Sequence, residues 1–163
     1  MSRRADHPLF RATALLAALL LVGALRGAEA EVLTVGFDKL ASYEFAAPED
    51  PAKAAAAEAQ IPERVRAFDA KKVAVTGFML PVKMDAGLVT EFLLVKDPMM
   101  CCYGVMPKVN EWVVVRMVGK GVPPLMDVPI TFEGTLSVGQ LYEGGYLTGL
   151  YLLKGDRRIE TKS

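Results

Sequence analysis

Imidazole is almost missing from this chain. The single histidine, His7, sits among the first thirty residues. Arg3, Arg4 and Arg11 precede an apolar run from Ala12 to Leu25, and Ala28-Glu29-Ala30 comes next with the small-x-small pattern of a signal-peptidase site. Cleavage after Ala30 is therefore expected, with residues 1–30 as a signal peptide and no histidine in the mature chain. That excludes Ser-His-Asp and Cys-His catalysis, both of which need an imidazole base. The usual histidine-ligated zinc and iron sites are excluded with them. The competing reading of residues 1–30 is an uncleaved membrane anchor. Its apolar run is shorter than the roughly 20 residues that a span requires, and no cysteine comes after it to accept a lipid.

Basic excess is lacking too. The leader takes four of the 19 basic residues and two of the 19 acidic ones, leaving 15 and 17 and a charge near −2. Such a domain has no electrostatic footprint for nucleic acid or anionic lipid. No Gly-rich phosphate loop of the required spacing occurs, and no close pair of carboxylates suggests general acid–base work. No internal repeat is present.

Sulfur is present, and it is concentrated. Both cysteines, Cys101 and Cys102, are adjacent in Asp97-Pro98-Met99-Met100-Cys101-Cys102-Tyr103-Gly104-Val105-Met106-Pro107, and three methionines lie within five residues of the pair. Pro98 and Pro107 bracket the stretch, so neither a helix nor a central strand should run through it. It reads as a loop between apolar strands. Lone residues beside it read differently: Trp112 suits a strand core, and Asn110 suits the turn before that strand or a binding face next to the loop.

Around this loop the pattern is mainly β. Residues 31–70 form an N-terminal arm: Glu31 to Phe45 reads as a short strand or extended arm. Asp50-Pro51 then reads as the start of a short helix, and Ile61 to Phe68 as a second helix or turn with Ile61, Val65 and Phe68 on one face. Residues 71–154 supply five strands, at Val73–Leu80, Val89–Lys96, Trp112–Val118, Ile130–Leu136 and Tyr146–Leu153. Pro81 should end the first. The second is apolar on both faces. Residues 155–163 read as a charged, fraying tail, beginning to fray at Lys154. Gly77, Gly134 and Gly149 fall inside strands, where closure of a small sheet needs kinks. A five-stranded OB-like barrel with one or two short N-terminal helices is the expected fold, and an open β-sandwich is the alternative.

Ile61-Pro62-x-x-Val65, Val73-x-Val75-x-Gly77-Phe78-Met79-Leu80-Pro81, Glu91-Phe92-Leu93-Leu94-Val95, Pro98-Met99-Met100-Cys101-Cys102-Tyr103-Gly104 and Asn110-Glu111-Trp112-Val113 together resemble the secreted bacterial domain-of-unknown-function family 3299. The resemblance runs from about Phe37 to Leu153, and Cys-Cys-x-Gly is its most specific part. It implies an OB-like domain outside the cytoplasm and, for some members, neighbouring ABC-transporter components. Ala70 departs from the pattern, which has glycine in an Asp-Gly-Lys turn.

Three roles remain for the sulfur loop. Thiolates suit soft ions, Cu(I) and Zn(II) above all, and in a turn Cys101 and Cys102 can face one ion. Asp97, Glu111, a methionine or a second protomer would complete the ligands. Alternatively the pair forms a vicinal disulfide, with Cα atoms held near 3.8 Å, short of the usual disulfide range and therefore reducible. In the third reading the cysteines pack as small apolar residues, with Met99, Met100 and Met106 filling irregular space. The expectation is a secreted, periplasmic binding protein, accessory to an envelope transport system. Its metal ligands would be Cys101 and Cys102, with Zn or Cu(I) as the ion. Met99, Met100, Tyr103 and Asn110 would meet an envelope protein or ABC-transporter component. A thiol-disulfide protein or a structural adaptor without ligand are the alternatives.

Overall fold

The computed structural model describes residues 31–101 and 107–160, without the side chains of residues 51, 100 and 101. The leader reading, Cys102 and Tyr103 lie outside the described residues, as do the side chains of Met100 and Cys101.

Chain order is β1 (Leu33–Thr34), α1 (Phe37–Leu40), a 3₁₀ turn (Pro51–Lys53), α2 (Ala54–Glu58), α3 (Glu63–Arg66), β2 (Lys72–Asp85) and β3 (Leu88–Val95). A second 3₁₀ turn (Pro98–Cys101), β4 (Trp112–Met117), β5 (Pro129–Glu143) and β6 (Tyr146–Ile159) complete it. The protein is mainly β. The described strands form one six-stranded mixed sheet in the order β1-β2-β3-β4-β6-β5, with β2 pairing β5 as well. Two pairings are parallel, β1 with β2 and β4 with β6.

Alternation is the most informative signal in the sequence. Val73, Val75 and Met79 of β2 and Ile130, Phe132 and Leu136 of β5 enter the core as expected, joined by Phe92, Leu94, Val113, Val115 and Tyr151. Phe92 and Phe132 meet at 4.8 Å between ring centroids, tilted by 55°, a favourable offset for two quadrupoles. The second apolar face of β3 is real as well. Leu80, Leu93, Val114 and Leu152 stand in register across β2, β3, β4 and β6, on the side away from the core.

Three sequence expectations need correction. Pro81 does not end its strand, because β2 changes partner along its length. Lys72 to Phe78 pairs β5, whereas Phe78 to Asp85 pairs β3. Pro81 precedes a register shift, where a missing N–H is tolerated. Gly77 lies at the changeover: a Cβ there would stand 2.7 Å from the Val95 carbonyl oxygen and 2.9 Å from Leu94 Cγ. Next, Lys154 does not begin a frayed tail, since β6 stays paired with β5 as far as Thr131 opposite Ile159. The charges there are paired across the sheet: Arg157 bonds the buried carboxylate of Glu133 at 2.8 Å, and Lys72 bonds Asp156. Finally, Phe37 to Leu40 is a helical turn within a stretch expected to be extended, set by the burial of Phe37 and Leu40 three residues apart.

Hairpin turns account for the long strands. Ala86 and Gly87 have φ of 47° and 80°, and Gly144 and Gly145 have 57° and 87°. Positive φ at both central residues matches the twist of the flanking strands, so two-residue turns suffice.

Candidate functional site

The sulfur loop leaves β3 at Lys96 and rejoins the sheet at Trp112. Its two limbs are fastened where they meet. The Lys96 N–H donates to the Glu111 carbonyl at 3.1 Å, and Lys96 Nζ donates to Glu111 Oε1 at 3.2 Å. The second carboxylate oxygen, Oε2, accepts the Lys108 N–H at 3.1 Å, while the Glu111 N–H closes a turn onto the Lys108 carbonyl at 2.8 Å. One glutamate therefore holds both strand ends and the returning turn.

On the entry limb, Asp97 Oδ1 accepts the Met99 N–H at 2.8 Å and so caps the 3₁₀ turn Pro98–Cys101. Aspartate before proline suits this: the carboxylate satisfies a donor that the turn leaves open, and proline at the first position supplies the right φ. Met99 is exposed. Beside this limb Phe78, Leu80, Val95, Pro98 and Met126 line an apolar groove of about 210 Å³.

The exit limb is tied to the N-terminal arm. Asn110 is wholly enclosed, and its Nδ2 donates to the Tyr43 carbonyl at 2.7 Å. Its amide therefore anchors the loop from beneath instead of facing outward, and Oδ1 has no partner among the described residues. Next to it, Lys108 Nζ bonds Glu44 at 2.6 Å, which raises the Lys108 pKa. Tyr43 continues the chain of contacts inward. Its hydroxyl lies 2.9 Å from that of Tyr151, which donates to the Leu40 carbonyl at 2.7 Å. Burial raises both phenol pKa values; their mutual bond raises that of Tyr151 and lowers that of Tyr43. The pair stays protonated at neutral pH and is structural.

Cys101 ends the capped 3₁₀ turn. Among the described residues no three of His, Cys, Asp and Glu come together as a metal group. Glu111, a candidate to complete the ligands, already uses both oxygens, and Lys96 and Lys108 beside it are paired with carboxylates. The Tyr43–Tyr151–Asn110 chain is not legible in the sequence, because nothing brings residues 43, 110 and 151 together before the strands pair.

Among the described residues no helix is long and apolar enough to cross a membrane. Fold and site define a mainly β domain that carries a clamped, sulfur-bearing loop between two adjacent strands. The chain belongs to the family described as protein of unknown function (DUF3299), whose model matches residues 21–157. It is similar in structure to a DUF3299 family protein from Pseudomonas aeruginosa PAO1. The TM-score is 0.59 at 26% identity, over 82% of this chain and 99% of that one. No curated protein matches the chain.

Proposed function

We propose that this chain is an exported binding protein, accessory to an envelope transport system, in which Cys101 and Cys102 hold a soft metal ion, zinc or Cu(I). The observation that carries the reading is the capped turn. In an extended strand neighbouring side chains point to opposite faces, which would part the two thiols. Cys101 instead closes a 3₁₀ turn fixed by Asp97, so the backbone entering the pair is turned and not extended. Met99 on the same turn gives the loop an exposed thioether for a partner. Export rests on the leader pattern in residues 1–30.

The finer architecture we propose is OB-like. Strand pairings running β2-β3-β4-β6-β5 and back to β2 support closure. In that arrangement β3 and β4 are the second and third strands, whose face is the usual ligand platform of such barrels, and the sulfur loop joins them.

Elemental analysis of protein purified without chelator tests the function. A near-stoichiometric zinc or copper ion is expected, lost when Cys101→Ser and Cys102→Ser are combined while far-UV circular dichroism is unchanged. Absence of any ion from protein with two free thiols would refute metal binding and leave the cysteines as packing. No free thiols in freshly prepared protein, together with easy reduction, would move the assignment to thiol-disulfide chemistry.

A further inference from the structure

A hollow beside the described residues lies far from the sulfur loop in sequence, between α1 and α3. Asp38, Lys39, Ser42, Arg64, Val65 and Phe68 line a pocket of about 370 Å³, within the size range of small-molecule sites. Its floor is apolar: Val65 is wholly buried and Phe68 half-buried, and both pack with the core. Its rim carries charge. Lys39 Nζ stands 6.0 Å from the centroid of the Phe68 ring, at the edge of cation–π range. Arg64 Nη2 makes two long contacts to neutral acceptors, the carbonyl and hydroxyl oxygens of Ser42, each at 3.3 Å. Among the described residues neither cation forms a salt bridge.

We infer that this pocket binds a small monocarboxylate with an apolar body. Two cations against the single carboxylate of Asp38 leave one net positive charge, which matches a monoanion and disfavours phosphate. A guanidinium offers a planar fork of donors suited to a carboxylate, and the Ser42 contacts tether Arg64 to another residue of the pocket lining. Val65 and Phe68 would receive the hydrocarbon. A purely polar anion would leave that floor wet, and a neutral apolar molecule would leave the two cations without a partner. The arrangement uses both features only when one ligand supplies both.

Isothermal titration of the purified chain with octanoate, 1-octanol, acetate and inorganic phosphate tests this. Saturable one-to-one binding of octanoate is expected, with the three controls at least tenfold weaker. Arg64→Gln and Lys39→Gln alter exposed side chains and should leave the fold intact. Each should weaken octanoate at least tenfold, and added salt should weaken it in the unaltered protein. The inference is overturned if octanoate does not saturate, if octanol binds as tightly, or if the double variant Arg64→Gln/Lys39→Gln binds octanoate unchanged.

Discussion

Replacing Ala70 with glycine should stabilise the protein, a direction opposite to most substitutions. Ala70 has a φ of 57°, in the left-handed region. The resemblance to the family pattern puts glycine at this position, and the structure keeps the left-handed conformation without it. The turn cannot relax, because three hydrogen bonds fasten it to β5. Ala70 N–H donates to the Leu136 carbonyl at 2.8 Å, Leu136 N–H to the Lys71 carbonyl at 2.9 Å, and Val138 N–H to Asp69 Oδ1 at 2.9 Å. Left-handed backbone costs an L-residue about 1–2 kcal/mol. Glycine removes that strain but loses about 0.5–1 kcal/mol more conformational freedom on folding. The balance is a gain of about 0.5–1 kcal/mol for Ala70→Gly. With a urea slope of about 2 kcal/mol per molar, the unfolding midpoint should rise by about 0.25–0.5 M at constant slope. A midpoint that stays put or falls would show that Ala70 is unstrained and that the left-handed assignment of this turn is wrong.

Two other substitutions test the sheet. Glu91 is buried between Lys83 at 3.0 Å and Arg116 at 2.9 Å, and Arg116 also reaches Glu143. Burial pushes the Glu91 carboxyl up, but the bonds from Lys83 and Arg116 outweigh it and hold the pKa below the ordinary value. Glu91→Gln should therefore cost about 1–2 kcal/mol at neutral pH, the value of charged hydrogen bonds discounted for two half-exposed cations. A depressed folded-state pKa stabilises above the unfolded carboxylate pKa of about 4.3 and stops doing so as pH falls through the folded value. The gap between wild type and Glu91→Gln in urea melts should thus be flat above about pH 5 and shrink below about pH 4; a gap independent of pH would remove the ion pair as its cause. Gly77→Ala should cost about 1–3 kcal/mol, since the obstructing atom is backbone and the two strands would have to part. A change under about 0.5 kcal/mol in thermal or urea unfolding would mean that β2 does not change partners at this glycine.

Periodicity makes the inner faces of β2 and β5 readable in the sequence itself, because one buried face forces alternation on a strand. It misplaces the ends of those strands for the same reason. Beyond Leu153 the residues are charged, and a hydrophobic pattern is blind to a ladder held by Arg157 with Glu133 and Lys72 with Asp156. Pro81 misleads because its cost depends on whether its N–H is wanted, which is settled by the partner strand and not by the proline. The sulfur loop is legible as a loop, since two prolines and a break in alternation are local signals. The buried anchor beneath it is invisible, because Asn110 finds Tyr43 only after β4 and the arm have been brought together.

That anchor bears on why the loop is built as it is. Asn110 is wholly buried and spends one amide hydrogen bond on Tyr43. An apolar side chain of similar size could not make that bond, so packing alone does not account for an asparagine here. Direction does: an amide bonded to one carbonyl fixes the exit limb against the arm in a way that apolar contact cannot. Glu111 does the same for the entry limb, taking Lys96 and the Lys108 N–H at once. Both limbs are thus held by directional bonds at their base, while the exposed Met99 and the turn ending at Cys101 lie beyond them. Directional bonds at both ends fix where the two limbs leave the sheet, which apolar packing at the same places would leave free to slide.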